Sequence, residues 1–379
     1  MRRGSIAAVF VALCVLVGLR GGVEVEDQTF IVSMGVDMEE DGRAVKLTLV
    51  LPSAKSGGGE EKDTSNGSYE VVSVSAASLK DAFRVLRATI PRHLNFSQLL
   101  QVVVSERAAR SAHFIDLLDS VLAAPRLKQS ALLAVSTAPA SEFLKNQTPF
   151  LGVRLSATIE TSLGVYGNLG NIPVSMLGLA RREMRESWRT PLLPLVAVNE
   201  TKGEAFAMHD NPLDAIAGEL PYQGGDPAEY LGAAVISGGR MVGTLTGAQM
   251  ELLSFIMHTT EEIPFEVNSD YCRLHRLDKT ALRAAKENGE CALSCELSIT
   301  AYPVGNRPVD TDAVERELER ALSGLFDHLC RLGSDPVGFE GIAARSVYTL
   351  DQWDTAEWQR LYRQAQVKVK VRASTSETM

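Results

Sequence analysis

The sequence predicts an α+β fold of several domains, with mixed sheets packed against helices, and three observations carry that expectation. Short apolar runs of strand character recur along the chain, as in Leu99–Val104, Ala131–Val135 and Leu192–Val198. Amphipathic helical stretches lie among them without the strict strand–helix alternation of a doubly wound sheet. The 379 residues, 45% hydrophobic and 22% charged, suit roughly two or three folded units rather than a disordered chain.

The N-terminus sets the compartment. Arg2 and Arg3 precede an uncharged apolar run from Gly4 to Leu19, which Arg20 closes. A basic start and a short apolar stretch read as an export signal, residues 1–20. It is the only long charge-free apolar run, which excludes a polytopic membrane protein. Thirty-eight basic and 47 acidic residues leave a net charge of −9. That balance opposes non-specific adhesion to nucleic acid or anionic lipid.

The elements follow in order. Phe30–Val36 reads as a strand, Asp37–Gly42 as an acidic turn, and Ala44–Leu51 as the pairing strand. Pro52–Ser68, with Gly57-Gly58-Gly59, is a loop; no Gly-Lys-Ser/Thr follows to make it a phosphate cradle. Ser78 opens a helix whose apolar face carries Leu79, Ala82, Phe83 and Leu86. After the Leu99–Val104 strand, Ser105 caps a helix bearing Phe114, Ile115, Leu118 and Leu122. The Phe150–Arg189 stretch is helical in pattern but interrupted by Gly164, Gly167, Gly170 and Pro173, and Arg181, Arg182, Arg185 and Arg189 read as a solvated face there, with an acidic partner or lipid headgroups as the alternative. These elements make an N-terminal region of residues 21–200, followed by a turn-rich linker over 201–229.

A C-terminal region, 230–379, opens with a hairpin: Ala233–Ile236 and Met241–Leu245 joined by Ser237-Gly238-Gly239. A helix over Gln249–His258 and strands around Phe265–Leu274 and Cys291–Tyr302 follow. Asp312, with Glu315 completing a capping box, starts a long amphipathic helix with Val314, Leu318, Ala321, Leu322, Leu325 and Leu329 on its apolar stripe; Gly333 ends it. A last helix holds Trp358 and Tyr362. In the final strand Val367, Val369 and Val371 alternate with Lys368, Lys370 and Arg372.

Chemistry is sparse in the pattern. The six histidines are scattered, and none sits in His-Glu-x-x-His spacing; Ser237 lacks the first glycine of a nucleophile elbow. Glu315, Glu317 and Glu319, interleaved with Arg316 and Arg320, read as intrahelical ion pairs. Cys272 with His275 matches no common zinc module. Cys291 and Cys295, in one strand-like run, are too far apart to bridge. Buried thiols are the expectation for Cys272, Cys291, Cys295 and Cys330, with their disulfide state left open. No catalytic, cofactor-binding or metal-binding residue is assigned. The tryptophans are expected in the core, with a contact role for Trp353 as the alternative.

Three stretches together resemble one family. They are Glu24-Val25-Glu26-Asp27-Gln28-Thr29-Phe30-Ile31-Val32 with Gly35-Val36-Asp37; Gly232-Ala233-Ala234-Val235 with Arg240-Met241-Val242-Gly243-Thr244-Leu245-Thr246; and Asp335-Pro336-Val337-Gly338-Phe339 with Trp353, Trp358 and Val367–Val371. Their order and gaps resemble the Ger(x)C family, the C subunit of nutrient germinant receptors of endospore-forming bacteria. The resemblance implies three mixed α/β domains and a non-enzymatic role in spore germination. It implies partners, a polytopic A and a polytopic B subunit, and a place on the outer face of the spore inner membrane. Whether this subunit itself touches a germinant stays open. Members of the family are typically lipoproteins, but here Leu19, Arg20 and Gly21 stand where the acceptor cysteine and the residues after it belong, and Cys14 lies too deep in the apolar run to replace it. An uncleaved N-terminal helix, or the partner subunits, would then hold the protein. The alternative is a stand-alone extracytoplasmic protein that binds a small solute.

Overall fold

Continuous apolar runs form the middle of a sheet that is buried on both faces. The computed structural model describes residues 24–39, 42, 44–52, 69–148, 155–186, 188–199, 211, 213–222, 224–268, 270–287, 289–305, 307–345 and 353–376. The expected export signal and nearly all of the Pro52–Ser68 loop lie outside them. In chain order the first half comprises β1 (Gln28–Phe30), β2 (Ser33–Met38), β3 (Val45–Pro52), β4 (Tyr69–Ala76), α1 (Leu79–Thr89), β5 (His93–Asn95), β6 (Gln101–Ser105), α2 (Glu106–Arg110), α3 (Phe114–Leu122), β7 (Leu132–Ser136), α4 (Ala140–Asn146), α5 (Leu155–Leu169), α6 (Leu177–Glu186) and β8 (Leu192–Val198). The second half comprises β9 (Ala228–Ser237), β10 (Arg240–Leu245), α7 (Gly247–Ile256), β11 (Glu262–Val267), β12 (Asp270–Arg276), β13 (Ala281–Glu287), β14 (Glu290–Pro303), α8 (Thr311–Leu332), α9 (Phe339–Ala344), α10 (Thr355–Tyr362) and β15 (Val367–Thr375).

An eight-stranded sheet has the order β10-β9-β8-β7-β6-β2-β3-β4. Its central strands β2, β6, β7 and β8 run parallel, and antiparallel hairpins flank them on both sides. Val102 and Val104 pack into one apolar layer with α1 and α3, whereas Val103 faces the opposite layer with Phe143, Leu144, Leu155 and Ile159. Two covered faces explain why β6 and β7 read as unbroken apolar runs. The β9–β10 hairpin turns through Gly238 and Gly239, both at positive φ, and it joins the sheet of the N-terminal region through β8.

The second sheet has five strands in the order β11-β12-β14-β13, with β15 also on β14. β12 and β13 lie end to end along one edge of the long β14, and β15 runs parallel along the other. α8 lies over this sheet, burying Val314, Leu318, Leu322, Leu325 and Leu329. Helix α8 ends at Gly333 in the left-handed conformation, as expected.

Several local expectations need correction. The Phe30–Val36 run is two strands: β1 pairs in parallel with β5, and β2 enters the main sheet. Ser105 ends β6 and makes no side-chain cap; a short helix, α2, intervenes before α3. Helix α8 is capped by Asp310, whose carboxylate accepts from the Ala313 amide at 3.0 Å, and not by Asp312. β13 has the sequence Ala-Leu-Arg-Ala-Ala-Lys-Glu, rich in helix formers, and only its pairing with β14 makes it a strand. Nor do the α6 arginines form a wholly solvated face. Arg181 and Arg185 both grip Asp119 of α3, at 2.7 and 2.5 Å, and together they hold its carboxyl below the usual range.

Candidate functional site

The motif stretches turn out to be structural devices. In the first, Asp37 sits at the C-terminal end of β2, buried, and its carboxylate accepts from the amides of Ala140 at 2.6 Å and Ser141 at 3.0 Å. It therefore caps α4 at a helix start that has no capping side chain of its own. Gly35 of the same strand lets α4 approach closely: a Cβ there would lie 2.8 Å from Leu144 Cδ1.

The last stretch makes a joint between the two sheets. The Asp335 carboxylate accepts from the amides of Gly338 at 2.9 Å and Glu340 at 2.8 Å, capping α9. Burial nevertheless pushes its pKa up to about 6. From the other side, the Thr190 amide donates to the Asp335 carbonyl at 3.0 Å, and Arg189 Nε donates to the Pro336 carbonyl at 3.2 Å. The Thr190 and Ser334 hydroxyls lie 2.7 Å apart, and Ser237 Oγ donates to the Gly333 carbonyl at 2.6 Å. Gly338 has φ +85°, and a Cβ there would meet Arg189 Cγ at 2.9 Å.

All three tryptophans gather at this joint. The rings of Trp188 and Trp353 lie 6.3 Å apart, those of Trp353 and Trp358 5.3 Å apart. Trp353 Nε1 donates to Glu340 Oε1 at 3.1 Å. Trp188 comes from the segment between α6 and β8, so the cluster straddles the two halves. Sequence reasoning placed the tryptophans in the core but missed that they meet one another.

A ligand-sized cavity of about 470 Å³ opens elsewhere, between α5 and the segment leading into β9. Leu155, Ile159, Leu213, Leu220 and Leu231 supply apolar wall; Asp226, Glu229, Tyr222, Tyr230, Gln147 and Asn171 supply polar groups. Behind it, Gln101, Gln147 and Tyr230 form a closed ring: Gln101 Nε2 to Gln147 Oε1 at 2.8 Å, Gln147 Nε2 to Tyr230 Oη at 2.6 Å, and Tyr230 Oη to Gln101 Oε1 at 3.0 Å. Burial raises the pKa of both Asp226 and Glu229. No motif announced this cavity, because its residues come from separated turns and a helix.

The remaining candidates stay apart. Among the described residues no cluster of three metal-ligating side chains occurs. Cys272, Cys291, Cys295 and Cys330 are unbonded. Burial pushes the thiols of Cys272 and Cys291 up to about 11 and those of Cys295 and Cys330 up to about 12, far from the thiolate form. No helix among the described residues is long and apolar enough to cross a membrane.

Comparison with known proteins gives this geometry a family. Residues 21–198 match the model of the spore germination protein N-terminal domain. Residues 231–379 match that of the spore germination B3/GerAC-like C-terminal domain. The putative spore germination protein YfkR of Bacillus subtilis (strain 168) is 20% identical over 94% of this chain and 92% of its own length. The crystal structure of the GerBC protein superposes with a TM-score of 0.55 at 15% identity, covering 90% of this chain and 96% of that one, so the α+β fold is shared. With a germination-family domain in each half and the family's fold throughout, the chain belongs to the GerAC-like family of spore germination proteins.

Proposed function

We propose that this protein is a non-enzymatic subunit of a spore nutrient germinant receptor, acting with a polytopic A and a polytopic B subunit to trigger germination. The observation that carries the reading is the germination-family match over residues 21–198 and again over 231–379. The use of the motif residues supports it: Asp37 and Asp335 cap helices, and Trp353 meets Trp188 of the other half. Such roles suit a protein whose output is binding and transmission. The protein is exported and lies on the outer face of the spore inner membrane. Its uncleaved N-terminal apolar segment, or its partner subunits, hold it there, since Leu19 stands at the position of the lipid-acceptor cysteine.

The test is co-purification from detergent-solubilised spore inner membranes with a tag at the C-terminus. Recovery of two polytopic proteins with the chain is the expected result, and its mass should include residues 1–20 without a diacylglycerol group. Recovery of the chain alone, in the soluble fraction, would overturn the receptor role while leaving the family assignment intact.

A further inference from the structure

A cleft of about 700 Å³ opens where β1, β5, the end of α1 and the turn after α3 meet, and its walls are basic. Arg87, Arg92 and Arg126 line it together with His93, against a single carboxylate, Asp27. The chain as a whole carries a charge of −9, so this gathering runs against its composition. Among the described residues none of the three arginines forms an ion pair or a side-chain hydrogen bond, even with Asp27. Guanidinium groups held round one concavity repel one another and focus a positive potential into it.

The frame beneath them is fixed. β1 sets Gln28 beside His93, and Asn95 Nδ2 donates to Gln28 Oε1 at 2.5 Å. The Lys128 amide donates to the Phe96 carbonyl at 3.2 Å, which ties the segment after α3 to the end of β5. Arg92 and Arg126 each follow a proline, Pro91 and Pro125, whose ring restricts the backbone leading to them. Arg126 has φ +58° and is the third residue of a turn that the Leu127 amide closes on the Ala124 carbonyl at 3.3 Å. Glycine or asparagine takes that conformation with least strain, so the turn itself does not ask for arginine. What arginine adds there is a guanidinium at the cleft.

We propose that this cleft binds a phosphate group, clamped by Arg87, Arg92 and Arg126 with His93 as a further donor. A carboxylate has too few oxygens and too little charge for three guanidinium groups, and a phosphate offers more of both. The cleft is larger than a bare phosphate ion, which leaves room for the rest of a phosphate ester. Two sources share this chemistry: a soluble phosphate compound and the headgroup of an anionic phospholipid. Asp27 stands seven residues after Arg20, at most about 25 Å of extended chain, so a headgroup is within reach if residues 1–20 lie in the bilayer. The lipid source rests on the membrane-bound reading above; the phosphate site itself does not.

The experiment is calorimetric titration of the full-length protein in a non-ionic detergent at pH 8, with inorganic phosphate as the probe and acetate as the carboxylate control. Native mass spectrometry with added phosphatidylglycerol, against phosphatidylcholine, supplies the lipid arm. Saturable binding of phosphate, at least tenfold tighter than that of acetate, is the expected result. Retention of phosphatidylglycerol in preference to phosphatidylcholine makes the ligand a lipid headgroup, and phosphate binding without that retention makes it a soluble compound. Arg87→Gln, Arg92→Gln and Arg126→Asn should each weaken phosphate at least fivefold. Arg126→Asn suits its turn and should unfold at the parent's temperature or above, so its loss of binding is not a loss of fold. Arg240→Gln, at an exposed arginine of β10 outside the cleft, removes the same charge and should leave the affinity unchanged. No saturable binding of phosphate, equal binding of acetate, binding unchanged in the three cleft variants, or equal weakening by Arg240→Gln would overturn the proposal. None of these outcomes bears on co-purification with polytopic partners, so the two readings fail separately.

Discussion

Glu251 on α7 is a carboxyl group only 8% exposed, and no cation pairs with it among the described residues. Its partner is the Asn171 amide, which in its satisfied orientation donates to Oε1 at 2.9 Å. Burial alone pushes its pKa from 4.5 up to about 7. The folded state therefore holds a proton that the unfolded chain releases earlier. Stability attributable to this group is full below about 4.5, falls as the pH rises through the window, and is lost above about 7. Asp335, raised from 3.8 to about 6, acts in the same direction. Replacing Glu251 by Gln keeps an acceptor for Asn171 and removes the titration. We expect Glu251→Gln to be more stable than the parent at pH 8 by on the order of 1–3 kcal/mol, and nearly equal to it at pH 4.5. Urea denaturation midpoints of both proteins at the two pH values check this. The residual slope of the variant belongs to the other carboxyls that burial raises, Asp335, Asp226, Glu229 and Glu183 among them, and an unchanged slope would mean that Glu251 is solvated in the fold.

At the scale of elements, β15 shows how an edge strand is protected. One side of β15 pairs with β14; on the other, the Val371 amide donates to Glu319 Oε1 at 2.9 Å and the Ala373 amide to Glu315 Oε1 at 2.7 Å, both carboxylates from α8. These glutamates replace a neighbouring strand, which blunts the edge against pairing with another chain. Of the glutamates expected in intrahelical ion pairs, only Glu317 forms one, with Arg320. The double change Glu315→Ala, Glu319→Ala should speed hydrogen exchange at the Val371 and Ala373 amides about tenfold or more and promote self-association, whereas the double Gln variant should retain protection. Exchange measured amide by amide decides it. The same element marks what was legible in the sequence. The Val367–Val371 alternation, the Ser78 cap and the Gly238-Gly239 turn are local signals, and each appears where local physics places it. The amides that Glu319 and Glu315 accept from lie 52 and 58 residues further along the chain, which is not local, and neither is β13, whose composition favours helix until β14 pairs with it. The α5 cavity was invisible for the same reason: Asp226 and Glu229 look like ordinary turn and strand residues until α5 closes over them.

For the molecule as a whole, the question is how its two sheets are held as one body. They share an apolar core, in which Leu192, Ala233, Val235 and Leu245 of the first sheet pack with the second sheet and α8, and around it lie the Thr190 amide bond to the Asp335 carbonyl, the Arg189 Nε bond to the Pro336 carbonyl, the Ser237–Gly333 bond, the Ser254 Oγ bond to the Gly170 carbonyl at 2.9 Å, and the tryptophan cluster. The tryptophan cluster adds to that apolar contact, and Trp188 is its member from the N-terminal side. A half-buried tryptophan against Trp353 supplies both area and an edge-to-face contact. A subunit that passes a signal between partners needs its halves coupled, and coupling requires an element that both halves bias. Trp188→Ala removes one indole from the joint but leaves the Thr190 and Ser237 hydrogen bonds and the shared core of Leu192, Ala233, Val235 and Leu245 intact. With the core shared, we expect calorimetric unfolding of the parent and of Trp188→Ala each as a single transition. That of Trp188→Ala should lie lower by the loss of about 1–3 kcal/mol of interface. Trp188→Phe, which restores an aromatic edge, should recover most of the coupling. The fluorescence of Trp353 and Trp358 reports the same event, because removing Trp188 opens that cluster to solvent. If Trp188→Ala unfolds at the parent's temperature, the shared core and the hydrogen bonds of Asp335 and Gly333 carry the joint. Coupling between the halves would then run through that core and the Asp335 cap of α9, not through the indoles.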